Sequence, residues 1–210
     1  MKLYTIGDSH SVYGFKQTEI PILSLHPTGP VLMYSVGRDG LDRIDIRNFI
    51  TDDEPGDAIV FSFGEIDCRC QIHKYVGVGK TYKEIIEPMV GRYFETIRAN
   101  VSNYKNLVTC VYNIVPPVAT INGMIDGWWV DTKYPLVGSD EERRDYVVFM
   151  NKCIKNCCKE YGYIFFDVYD KYLSDDGFLN KKMSEGVHIV DGRAIKEFIE
   201  TIILPALSAV

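Results

Sequence analysis

At 210 residues, with 46% hydrophobic and 25% charged side chains, the chain is long enough to bury one sizeable core and too balanced for a disordered or membrane-embedded protein. Its net charge is −6 and its Lys and Arg residues are scattered, so no nucleic-acid partner is expected; that would need a basic stripe. No apolar stretch approaches the ~20 residues of a membrane-spanning helix, which argues against a membrane partner.

A first strand over residues 2–6 leads straight into Gly7-Asp8-Ser9-His10, so no removable signal peptide is expected. Together with six cysteines, three of them crowded on one helix, this predicts a cytoplasmic protein with reduced thiols. A second strand is expected over 31–35, after a Pro- and Gly-bearing stretch. A third follows over 58–63, behind the turn Glu54-Pro55-Gly56-Asp57, and ends in Gly64-Glu65-Ile66-Asp67-Cys68-Arg69. Thr81 to Glu84 reads as a capping box opening a helix with apolar residues at Ile85, Met89, Tyr93, Ile97 and Val101; Pro88 must kink that helix or mark its first turn. The fourth strand, over 107–115, stops at Pro116-Pro117. Residues 117–138 have no clear period and hold Trp128-Trp129. A second capping box, Ser139 to Glu142, opens a helix that Gly162 closes. The fifth strand spans 163–168, and a last helix runs over 192–204, just after Glu185-Gly186-Val187-His188.

Strands alternating with helices, each strand apolar with little alternation, predict one domain over residues 1–210. Its architecture is a flavodoxin-like three-layer α/β/α arrangement around a five-stranded parallel sheet. In such a sheet the ligand crevice lies beyond the carboxyl ends of the strands. The clusters at Ser9, Gly37, Glu65 to Arg69 and Glu185 to His188 are therefore expected to converge there. Cys68, Cys70 and His73 have metal-ligand character but no fourth ligand nearby, so no metal is expected.

Gly7-Asp8-Ser9, Gly37, Gly64-Glu65-Ile66-Asp67 and Glu185-Gly186-Val187-His188 resemble, in order, four sequence blocks of the SGNH/GDSL hydrolase superfamily. The resemblance implies an esterase or deacylase that needs no cofactor. Ser9 would be the nucleophile, His188 its base, and Glu185 the acid that orients the imidazole, one methylene longer than the family's Asp. The amides of Ser9 and Gly37 would bind the oxyanion. A serine hydroxyl needs such a base within hydrogen-bond reach, and the base needs an acceptor that fixes its tautomer. Ile66 departs from the family's Asn, whose side chain donates to the oxyanion. Losing such a donor costs about 2.7–4 kcal/mol; Arg69 and His10 are the nearest replacements.

Asp8, His10, Glu65, Asp67, Arg69, Trp128 and Trp129 are the expected substrate-binding residues. Gly64-Glu65-Ile66-Asp67-Cys68-Arg69 also resembles a variant found in SGNH-like proteins of surface-glycan synthesis, which implies an acylated sugar or glycan ester as the substrate, and the tryptophans would suit a stacking wall for its sugar ring. Plainer roles stand beside these. Asp8 and Asp67 could accept the amides of their own turns, Arg69 could pair with Glu65 or Asp67, and the tryptophans could form a homo-oligomer contact. The alternatives to hydrolysis are acyl transfer to a sugar hydroxyl and a degenerate module that only binds glycans.

Overall fold

The computed structural model describes residues 2–25, 30–51, 54–120 and 133–207. Strand β1 (Leu3–Gly7) is followed by a short edge strand, β2 (Ile22–Ser24), and then helix α1 (Met33–Asp39). Strand β3 (Ala58–Ser62) leads into a helical stretch whose centre, Asp67–Gln71, is a π-turn and whose end is α2 (Ile72–Val76). The long helix α3 (Tyr82–Val101), strand β4 (Val108–Tyr112), the long helix α4 (Asp140–Tyr161) and strand β5 (Ile164–Phe166) come next. The chain closes with a two-strand hairpin, β6 (Ser184–Glu185) and β7 (His188–Ile189). After it come α5 (Arg193–Phe198), a π-turn over Ile199–Ile203, and α6 (Leu204–Leu207).

The five main strands are all parallel, in the order β2-β1-β3-β4-β5, with helices on both faces. Side chains alternate between the faces, as the strand period of two requires. Tyr4, Ile6, Ile59, Phe61 and Val111 pack under α1, α3 and α4. Leu3, Ala58, Val60, Cys110 and Tyr112 point the other way, onto Ile195, Ile199 and Ile203. Both faces are therefore buried, which is why β1, β3 and β4 read as nearly continuous apolar runs, broken only by Thr5, Thr109 and the terminal Ser62.

Both expected capping boxes are present. Thr81 and Glu84 exchange backbone and side-chain bonds at the start of α3, and Ser139 and Glu142 do so at α4. Gly162 closes α4 with φ +72°. Pro88 sits inside α3 on its solvent side.

One strand differs from expectation. Residues 31–35 do not form the second strand; α1 begins within them. The cause is tertiary. The Asp67 carboxylate, from the π-turn that follows β3, accepts the Met33 and Tyr34 amides at 2.7 and 3.1 Å and so caps the helix from a residue 34 positions away. The true second strand, Ile22–Ser24, is short, lies at the edge and leaves Leu23 half exposed, so it carries little apolar signal. All six cysteines are free thiols.

Candidate active site

The site begins where β1 ends. A Cβ on Gly7 would lie 1.9 Å from the Ser62 carbonyl oxygen, so only glycine lets β1 approach β3 this closely. The Asp8 amide donates to that same carbonyl at 2.9 Å. The chain then turns sharply. The Asp8 carboxylate accepts the His10 amide at 2.9 Å and caps a 3₁₀ turn over Ser9–Ser11. Ser9 is half-buried. Its carbonyl accepts the Val12 and Tyr13 amides, while its own N–H, first in the turn, has no partner within it.

The imidazole arrives from the other end of the chain. Glu185 and His188 face each other in the β6–β7 hairpin, whose two-residue loop, Gly186-Val187, has a positive φ (+57°) at its first position. That glycine-first pattern is the favoured II′ hairpin turn. It places His188 Nε2 2.9 Å from Ser9 Oγ, although the two residues are 179 apart in sequence. Tyr13 stacks on the His188 ring, with centroids 4.1 Å apart and planes 15° apart, and the Lys16 ammonium lies 4.2 Å from the centroid of the Tyr13 ring.

Electrostatics favour a neutral His188. Burial lowers its pKa first, the positive charges of His10, Arg69 and Lys16 lower it further, and Asp8 opposes them; the result is about 3. The imidazole therefore stays unprotonated, with a ring lone pair available, across the neutral range.

The other expected site residues divide. Glu185 lies directly across the ladder from His188, on the same face, with its side chain exposed. Among the described residues, the carboxylate that acts most strongly on His188 is that of Asp8. Glu65 and Arg69 form a half-buried ion pair at 2.8 Å, and Arg69 also donates to the Tyr134 carbonyl at 2.7 Å. One oxygen of Glu65, Oε2, is buried and has no hydrogen-bond partner among the described residues. Trp128 and Trp129 lie outside the described residues.

Four expectations need correction. Gly37 is not on a loop after a strand but inside α1, where a Cβ would press at 3.0 Å on Arg92 and Tyr93 of α3; it is a helix-packing glycine, and its amide belongs to the helix. The Asp67 carboxylate is taken up by the fold. It is fully buried and engaged in capping α1, with burial pushing its pKa up to about 7 against the pull of the two amides. Asp8 is equally buried and spent on its own turn. His10 is 3% exposed with both ring nitrogens engaged, so it can reach neither substrate nor oxyanion.

Tyr13 and Lys16 did not emerge from the sequence reading. The only available signal was spacing: Tyr13 comes one helical turn after Ser9, and Lys16 one turn after Tyr13. A cavity of about 640 Å³ lies between α1, α2 and α3, lined among others by Tyr34, Gln71, Tyr75 and Arg92; neither Ser9 nor His188 lines it.

No protein-family model and no curated protein matches the chain by sequence. Solved structures do match by shape. A candidate acylhydrolase from Bacteroides fragilis superposes with a TM-score of 0.63 at 13% identity, over 98% of this chain and 88% of its own. A GDSL-like lipase from Bacteroides thetaiotaomicron gives 0.58 at 10% identity, over 98% and 88%. Phospholipase A1 from Streptomyces albidoflavus gives 0.53 at 11% identity, over 99% and 98%. With its parallel sheet order and its serine turn at the end of β1, this chain has the fold of the SGNH/GDSL hydrolases.

Proposed function

We propose that the chain is a serine ester hydrolase working through an acyl-enzyme on Ser9. The observation that carries this is the 2.9 Å contact between Ser9 Oγ and the half-buried His188 at the carboxyl end of the sheet, with burial and nearby charges keeping the imidazole neutral. His188 Nε2 takes the Ser9 proton as Oγ forms a bond to the ester carbonyl carbon. It then returns the proton to the leaving alkoxide as the ester C–O bond breaks. Water attacks the acyl-Ser9, His188 accepts its proton, and the acid leaves as Ser9 regains its own. Glu185, across the hairpin, is the acid we assign to steady the imidazole.

The Ser9 amide supplies one oxyanion donor. With Gly37 inside a helix and His10 engaged elsewhere, Arg69 is the remaining side chain for a second. Its Nη2 makes no hydrogen bond to the described residues, and its charge acts on His188. An acylated sugar or glycan is the substrate we favour, with Trp128 and Trp129 as its stacking wall.

A second reading rests on Ile66. Its apolar side chain is buried and cannot donate where the family pattern has Asn, which favours a slow acyltransferase or a glycan-binding module.

The test combines p-nitrophenyl acetate turnover with labelling by a fluorophosphonate probe. Both should occur in the wild type and vanish in Ser9→Ala. Labelling that survives Ser9→Ala removes the proposal. Labelling without turnover in water, but with product once a sugar acceptor is added, selects transfer. No labelling together with glycan binding selects the module.

A further inference from the structure

His10 lies between the two halves of the site. Its Nδ1 is 3.2 Å from the Asp8 carboxylate and its Nε2 is 2.9 Å from the Val187 carbonyl. Asp8 immediately precedes Ser9, and Val187 immediately precedes His188. A carbonyl only accepts, and so does an ionised carboxylate; a neutral imidazole carries a single N–H and can serve only one of them. The proton that satisfies both belongs on the ring, because imidazole is more basic than a carboxyl by about 2.6 pKa units.

We infer that His10 is an imidazolium that acts as a positioning residue, tying the Ser9 turn to the His188 hairpin. This rests on the reading of Ser9 and His188 as nucleophile and base. The clamp fixes the spacing across which the proton moves. It also places a buried positive charge beside His188, with ring centroids 5.4 Å apart. Two cations that close oppose each other, so a charged His10 keeps His188 in the form that accepts a proton. The charged groups around His10 agree. Burial alone would discharge it, but the Asp8 hydrogen bond and charge, the Glu65 charge and the Val187 carbonyl together hold its pKa above the ordinary histidine value.

The decisive measurement is nitrogen NMR of the full chain labelled with ¹⁵N-histidine, with rings assigned through single-histidine variants. Near pH 7, His10 should show two protonated ring nitrogens and His188 only one. In His10→Gln, the His188 titration midpoint should rise by about 1 unit, and kcat should fall by about 10- to 100-fold with KM little changed. A merely structural His10 would lower activity without moving that midpoint. The inference is overturned by a neutral His10 ring in the wild type, or by a His188 titration that His10→Gln leaves in place. The wild-type spectrum decides even if the variant does not fold. Because ring protonation is read without any ester, a chain that hydrolyses nothing would defeat the esterase reading and still leave His10 to be judged.

Discussion

Acidification offers the sharpest test of the proposed base. An ordinary histidine, with a pKa of about 6.5, is only about 3% neutral at pH 5. With burial and the His10, Arg69 and Lys16 charges holding His188 at about 3, it is about 99% neutral at the same pH. Activity at pH 5 should therefore stay close to its plateau, about 30-fold above what an unperturbed imidazole would allow. The assay is the initial rate of p-nitrophenyl acetate hydrolysis from pH 4 to 8, read where phenol and phenolate absorb equally, with the Ser9→Ala background subtracted. Removing a nearby positive charge eases protonation, so Arg69→Gln and Lys16→Gln should each move the acid limb upward. A wild-type rate that halves near pH 6.5 would refute the reasoning. Stability has a matching sign. Because the folded pKa is the lower one, the unfolded chain binds the extra proton, and stability drains away as pH falls from about 6.5 towards 3.

Tyr13→Leu removes the ring stacked on His188 and should lower kcat by about 3- to 10-fold, from about 0.5–1.5 kcal/mol for an aromatic pair, while Tyr13→Phe keeps it. Gly7→Ala drives a methyl group into the Ser62 carbonyl and should cost about 3 kcal/mol or more, seen as loss of folded protein in circular dichroism melts. Asp67→Ala strips both acceptors from the start of α1 and should cost about 2 kcal/mol, or about 4–8 °C in Tm. The folded Asp67 pKa, about 7, lies above the unfolded value, so its stabilising share is full below about 3.9 and wanes as pH rises to about 7. The Tm gap between variant and wild type should accordingly narrow from pH 5 to pH 8.

The parts of the fold that were legible are those written in local chemistry. Strands β1, β3 and β4 are apolar on both faces, and the caps of α3 and α4 lie within a few residues of the helices they start. Helix α1 was not legible because its cap is Asp67, and a run such as Val31-Leu32-Met33-Tyr34 looks like a strand when the acceptor for its amides is far away in sequence. That misplacement carried Gly37 with it into an oxyanion role that a helix interior cannot supply. In the site, the meeting of Ser9 and His188 could be anticipated from the order of motifs along a parallel sheet. The inward turn of His10 could not, because nothing local distinguishes a ring that faces ligand from one that bridges two backbone segments.

The β6–β7 hairpin pairs only two residues on each side and stands apart from the main sheet. Beyond that ladder it is held by the buried side chains of Val187 and Ile189 and by the His10 and Ser9 contacts, without a hydrogen-bonded strand of the main sheet, so it has fewer backbone bonds to break than the centre. Inactivation should therefore run ahead of melting. In rising urea, ester turnover should disappear at concentrations where far-ultraviolet dichroism still reports an intact chain.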